Sequence, residues 1–228
     1  MKLSPRYQTS PSNAVTEATF QSARPLPQEF FARDPRVVGR ELLGKLIVRR
    51  LGNLVLTARI VETEAYLGQN DPAAHSSSGR TPRNEVVFGP PGRAYVYFIY
   101  GNHYCLNVSC EPDGTAGGVL FRAVEPVQGI AVMAKNRNLP ESPPNRLTNG
   151  PGKLTQALAI TRAAHNGMNL TDPSQPLYFA DDGFPKPRIR STPRIGITKA
   201  VTRKLRYLIA NNPFVSKPRQ NIPWYIST

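Results

Sequence analysis

The run from Leu54 to Tyr66 (LVLTARIVETEAY) constrains this chain more than any other. Its aliphatic and β-branched residues set among charged and hydroxyl ones read as a long strand. A shorter run of the same kind, Lys45 to Arg50, precedes it across Leu51-Gly52-Asn53, whose Gly-Asn pair suits a tight reversal. The two predict an antiparallel hairpin. Within Arg59 to Tyr66, period-two alternation puts Ile60, Glu62, Glu64 and Tyr66 on one face and Arg59, Val61, Thr63 and Ala65 on the other. Two carboxylates and a phenol thus share a side just before a polar loop with Gly68, Asp71, Pro72 and His75. Such a strand end can set a general base at the rim of a cleft. A half-exposed edge strand with solvated acids gives the same pattern, so the surroundings must decide.

Charge narrows the choice of partner. Lys and Arg number 29 against 15 acids, a formal net charge of +14, and the sequence pI is near 10.2. The excess is spread along the chain and is greatest from residue 181 onward, where ten Lys and Arg meet only Asp181 and Asp182. Such a balance favours a polyanion, nucleic acid or an anionic membrane surface, over an ordinary metabolite. No window of about twenty apolar residues exists, so no membrane span is expected. Met1 to Pro27 is rich in Ser, Pro, Thr and Gln without an apolar core, and reads as a disordered tail (1–27) before one domain (28–228). Cys105 and Cys110 lie five positions apart on one predicted strand and point to opposite faces. They predict neither a disulfide nor a structural zinc site, and a reducing compartment.

Taken in order, Asp34-Pro35 starts a helix that runs through Leu43 and closes at Gly44. A long loop, Gly68 to Pro91, carries Arg80, Thr81, Arg83 and Asn84, a set of guanidinium and hydroxyl donors suited to phosphates. Tyr95 to Tyr100 and Tyr104 to Ser109 form an aromatic hairpin across Gly101-Asn102-His103, with Tyr95 and Tyr97 on one side. Tyr100 sits at its tip, where a ring has little core to enter and could wedge between bases. Val119 to Val124 is a strand with Leu120, Arg122 and Val124 on one face, so Arg122 either pairs with a buried acid or reaches an anion. Pro126 opens a helix to about Asn138. Gly150-Pro151-Gly152-Lys153 starts another, with Lys153 in a first turn that suits a phosphate. Arg194 to Ile197 is predicted as a strand whose Gly196 lets a backbone approach closely.

Together, Val-Glu-Thr-Glu-Ala-Tyr (61–66), Ala-Ala-His-Ser (73–76), Thr-Pro-Arg-Asn (81–84), Tyr-Val-Tyr-Phe-Ile-Tyr-Gly (95–101) and Gly-Pro-Gly-Lys-Leu (150–154) resemble the alkyladenine (3-methyladenine) DNA glycosylase family over most of residues 28 to 217. The resemblance implies a single mixed α+β domain: a curved antiparallel sheet with flanking helices and a protruding β-hairpin, monomeric, with no metal or other cofactor. It implies Glu64 as the general base that activates water, Arg122 beside that water or a nearby phosphate, and Tyr66, His75, Tyr97 and Asn107 around an extruded base. Tyr100 would intercalate, with Thr81, Arg83, Lys153 and Gly196 along the DNA backbone. The implied partner is double-stranded DNA containing damaged purines (3-methyladenine, 7-methylguanine, hypoxanthine, etheno-adenine), in a bacterial cytoplasm with its nucleoid or in a nucleus.

The residues suit that chemistry in their own right. N-glycosidic cleavage passes through an oxocarbenium-like sugar, which a carboxylate both stabilises and supplies with water. Rings at Tyr66, His75 and Tyr97 would favour a cationic alkylated purine by about 0.5–2 kcal/mol per good contact. No Lys occurs in the expected pocket stretches, which points to water as nucleophile and away from a lyase. Two rival readings stay open: a metal-dependent nuclease with Glu62, Glu64, Asp71 and His75 as ligands, and a non-enzymatic binder whose tyrosines stack on unpaired bases.

Overall fold

The structure, a computed structural model, describes residues 23–217 except Tyr100 and Asn102. The expected tail falls outside these residues as far as residue 22, and its end differs from expectation. Arg24–Pro25 forms strand β1, paired with the sheet, and Leu26 is buried against the core. The one-turn helix α1 (Gln28–Phe31) then leads to α2 (Pro35–Glu41). Helix α2 starts where its sequence requires, because the Asp34 carboxylate accepts from the Arg36 N–H at 2.7 Å and Pro35 takes the first helical position.

The hairpin expected from the longest strand pattern is present as β2 (Leu46–Leu51) and β3 (Leu54–Tyr66), with Leu46 opposite Arg59 and Leu51 opposite Leu54. The aromatic hairpin is β4 (Ala94–Ile99) and β5 (His103–Ser109), followed by β6 (Gly118–Gln128). Helices α3 (Ile130–Arg137), α4 (Asn145–Thr148), α5 (Pro151–Ala157) and α6 (Arg162–His165) come next, and β7 (Leu177–Asp181), β8 (Ile189–Thr192) and β9 (Arg206–Ile209) complete the sheet. The result is a single α+β domain around a curved antiparallel sheet in the order β1-β7-β2-β3-β6-β5-β4. Strand β3 carries the curvature. Its first half pairs with β2, and Glu62 to Glu64 pair with β9, which in turn holds β8. Leu42, Ile47, Leu56, Ile60, Phe121, Leu154, Phe179 and Tyr207 fill the core between sheet and helices. Among the described residues no helix is long and apolar enough to cross a membrane.

Three local expectations are corrected. Simple alternation fails in the middle of β3, where the register against β6 passes from Ile60–Val124 to Glu62–Ala123 to Thr63–Phe121. Val61 on β3 and Arg122 on β6 have no opposite number. These facing irregularities leave Ile60 and Val124 in the main core, while Val61 and Ala123 pack with Phe214 on the other side. A bulge re-aims the side chains that follow it, and here it brings Glu62, Glu64 and Arg122 together. Second, Pro126 does not open a helix. It sits in β6 opposite Ala58 beside another register shift, a place where a missing N–H is tolerated, and α3 waits until Gly129. Third, Arg194 to Ile197 is not a strand but part of the irregular segment between β8 and β9.

Candidate active site

Glu62 and Glu64 are both completely buried, yet their surroundings differ. Glu62 Oε1 accepts from Arg122 Nε at 3.1 Å, Arg206 Nε at 2.6 Å and Ser216 Oγ at 2.7 Å, while Oε2 accepts from Ser216 N at 2.6 Å. A carboxylate offers about four lone-pair positions, two on each oxygen; four donors converge on Glu62, three of them crowded on Oε1. Glu64 Oε1 accepts from the Ile195 N–H at 2.8 Å and faces Arg122 Nη1 at 3.3 Å; Oε2 accepts from the Tyr66 hydroxyl at 2.9 Å. That leaves one position open, on Oε2. Glu62 Oε2 likewise carries one donor, so what separates the two acids is their partners: Glu62 is tied to Arg206 and Ser216, whereas Glu64 is tied to the Tyr66 phenol. Arg122 spans both, and although burial opposes its charge, the Glu64 and Glu62 carboxylates raise its pKa.

Beside this cluster lies a cavity of about 270 Å³, lined by Tyr66, His75, Tyr95, Tyr97 and Asn107 and also by Ala73, Ala74, Ser76, Val87, Gly117–Gly118 and Gly196–Lys199. Small-molecule pockets start at about 300 Å³, so this one is sized for something no larger than a single base. Glu64 and Arg122 are not on its wall. The Tyr66 hydroxyl links the wall to the Glu64 carboxylate, and burial followed by the neighbouring Glu64 charge raises that phenol's pKa well above its usual value. The rings of His75 and Tyr97 meet edge to face at 4.6 Å, and Tyr95 and Tyr97 lie 5.3 Å apart. His75 Nδ1 is 3.0 Å from the Tyr95 hydroxyl; burial, then the nearby Arg83 charge, lowers its pKa and favours the neutral ring. Asn107 donates Nδ2 to the Tyr95 carbonyl at 3.1 Å and is thereby fixed in the cavity wall.

The expected pocket residues Tyr66, His75, Tyr97 and Asn107 are therefore brought together, and Glu64 and Arg122 adjoin them. Thr81 and Arg83 lie exposed in a loop that Asn84 pins, its Oδ1 accepting from Thr81 N at 2.7 Å and its Nδ2 donating to the His75 carbonyl at 2.9 Å. Arg83 also approaches the Tyr95 hydroxyl. Lys153 stands in the first turn of α5 as expected, bonded to Asn149 Oδ1 at 2.6 Å. Gly196, with φ of +76°, forms part of the cavity wall. Tyr100 lies outside the described residues. The three acids and imidazole of the nuclease reading do not gather: Glu62 and Glu64 are held by arginines, Asp71 by Arg194, and His75 by Tyr95. Among the described residues no cluster of three such side chains forms.

Comparison with known proteins agrees with this arrangement. The profile of the methylpurine-DNA glycosylase family matches residues 29–213. A protein of Koribacter versatilis named "Putative 3-methyladenine DNA glycosylase" is 59% identical over 195 residues, 86% of this chain and 94% of its own length. Proteins of the same name from Bradyrhizobium diazoefficiens and Prosthecochloris aestuarii are each 46% identical, covering 86% and 83% of this chain and 92% and 90% of themselves. The chain belongs to the methylpurine-DNA glycosylase family.

Some parts of this family member's site escaped the sequence reading. The segment after β8 supplies the Ile195 N–H to Glu64 and places Lys199 on the cavity wall, so the expectation of a pocket without lysine is overturned. It also supplies Arg194, buried beneath Tyr66 and paired with Asp71. These contacts join residues more than 120 positions apart, and the one local signal was the Arg-Ile-Gly-Ile run read as a strand.

Proposed function

We propose that this chain is a DNA glycosylase that takes a damaged purine out of the duplex into the aromatic cavity and hydrolyses its N-glycosidic bond. One observation carries the reading: Glu64, a buried carboxylate with an open acceptor position, is one hydrogen bond, through Tyr66, from a base-sized cavity walled by aromatic rings. In this account Glu64 Oε2 accepts a proton from water as the water attacks the anomeric carbon, and the carboxylate offsets positive charge on the sugar. Arg122 and the Ile195 N–H hold the carboxylate in one orientation. Because Glu64 is off the cavity wall, entry of the nucleotide must shift the Tyr66 hydroxyl or its neighbours to admit that water.

Tyr66, His75, Tyr97 and Asn107 hold the extruded base, and Tyr100 fills the gap it leaves in the stack. Thr81, Arg83, Lys153 and Gly196 follow the phosphates, consistent with the formal charge of +14. The substrates are 3-methyladenine and 7-methylguanine, with hypoxanthine and etheno-adenine as neutral members of the set, and the product is an abasic site left uncut. Lys199 stands on the exposed side of the cavity and has no part in the chemistry proposed here. The test is to incubate the protein with a chelator and duplexes carrying each lesion, then assay free base by chromatography and strand integrity by gel. Free base with strands cut only after alkali supports the proposal. Strand cutting that the chelator abolishes supports a nuclease, and binding without free base supports the non-enzymatic reading.

A further inference from the structure

Tyr66 has a cation at its back. The Arg194 guanidinium carbon lies 4.5 Å from the centre of the ring, and its side chain is wholly buried. Arg194 is absent from the cavity wall while Tyr66 is part of it, so the guanidinium covers the ring on the side away from the cavity. It is held there firmly: Nη1 donates to the Ala65 carbonyl at 2.9 Å, Nη2 to Asp71 Oδ1 at 2.8 Å, and Nη1 also pairs with Asp71 Oδ2. Its Nε is buried and has no hydrogen-bond partner among the described residues. Asp71 in turn accepts from the N–H groups of Leu67 and Ala73 at 3.2 Å. Asp71 takes up both terminal nitrogens of the guanidinium, and the guanidinium carbon itself lies over the Tyr66 ring.

An aromatic ring attracts a cation through the negative potential of its face. A guanidinium on one face draws on that potential, and it repels a second cation stacked on the other, which would sit roughly 8 Å away at ordinary stacking distance. We propose that Arg194 is a specificity-determining residue: through Tyr66 it weakens the cavity's preference for positively charged purines and shifts the balance toward neutral ones. Lys199 on the wall and Arg83 beside Tyr95 act in the same sense. On this proposal Tyr66 is the ring of the cavity that favours a cation least. The inference rests on the glycosylase reading above, and it concerns which lesion that site favours.

Single-turnover release of 7-methylguanine, a cationic base, and hypoxanthine, a neutral one, gives a ratio that separates this effect from general damage to the protein. Two variants of the full chain move it in opposite directions. Arg194→Gln combined with Asp71→Asn removes the charge while keeping a hydrogen-bonded pair, and the 7-methylguanine to hypoxanthine ratio should rise about three- to tenfold. Asp71→Asn alone leaves the guanidinium uncompensated, and the ratio should fall. Circular dichroism identifies the variants that fold, and either one decides the question because each carries its own sign. A ratio within about twofold of wild type in a folded variant, or movement in the same direction in both, overturns the proposal. Wild-type protein that releases neither base defeats the glycosylase reading itself, a result distinct from wild-type release whose ratio the variants leave unmoved.

Discussion

Replacing Glu62 by Gln separates the two acids that share β3. Glu62 is fully buried and takes donors from Arg122, Arg206 and both the N–H and hydroxyl of Ser216. A glutamine keeps one acceptor oxygen for the Arg122, Arg206 and Ser216 Oγ donors, and its amide NH₂ then faces the Ser216 N–H, donor against donor. Two buried guanidinium groups are left with Glu64 as the one acid between them, since among the described residues Arg206 has only Thr192 Oγ1 and the Ser216 carbonyl besides Glu62. Removing one member of a buried ion pair costs about 3–5 kcal/mol. Arg122 keeps Glu64, so the lower end, about 3 kcal/mol, applies here. With a urea slope of about 2–3 kcal/mol/M for a domain of this size, the unfolding midpoint should fall by about 1–1.5 M. Base release by the folded variant should stay within about tenfold of wild type, because Glu64 retains the Ile195 N–H, the Tyr66 hydroxyl and Arg122. A midpoint unchanged within about 0.3 M, or a variant that folds normally but releases no base, would refute the division of labour.

Gly68→Ala should destabilise the protein by about 2–4 kcal/mol in chemical denaturation, because Gly68 has φ of +67° and a Cβ there would lie 2.0 Å from the Ala116 carbonyl oxygen. Stability should also depend on pH in two stages, read as melting temperature from pH 8 to 3. Burial lowers the pKa of the His165 imidazole below its usual 6.5, so below that pH the unfolded chain binds more protons and stability begins to fall, a decline that His165→Gln should reduce. The Asp71 carboxyl is held below 3.8 by Arg194 although burial opposes its charge, so its contribution is complete above pH 3.8 and lost as pH falls further. Lys153→Ala should reduce the slope of log K against log salt for duplex binding by about 1; an unchanged slope removes Lys153 from the phosphate contacts.

Local chemistry was legible wherever neighbours in sequence are neighbours in space. Asp34-Pro35 announced α2, Gly52-Asn53 announced the turn of the first hairpin, and the tyrosines at 95 and 97 announced an aromatic wall. What the sequence hid depends on pairing between distant strands. Alternation cannot show that Val61 and Arg122 bulge against each other, yet that pair of irregularities decides which way Glu62, Glu64 and Arg122 point. Nor could spacing show that Glu62 would be held by Arg206 and Ser216, or that a loop read as a strand would bring Ile195 to Glu64 and Arg194 to Tyr66. Pro126 misled for a physical reason: the same residue that begins helices also fits a strand beside a register shift.

The central claim is that the Glu64 carboxylate activates the water that releases the base. Single-turnover base release by Glu64→Gln, with binding of an abasic duplex measured in parallel, tests it most directly. The account predicts a loss of at least about 100-fold in release, with abasic-duplex affinity near that of the wild type. Release at the wild-type rate from a folded Glu64→Gln protein would contradict it.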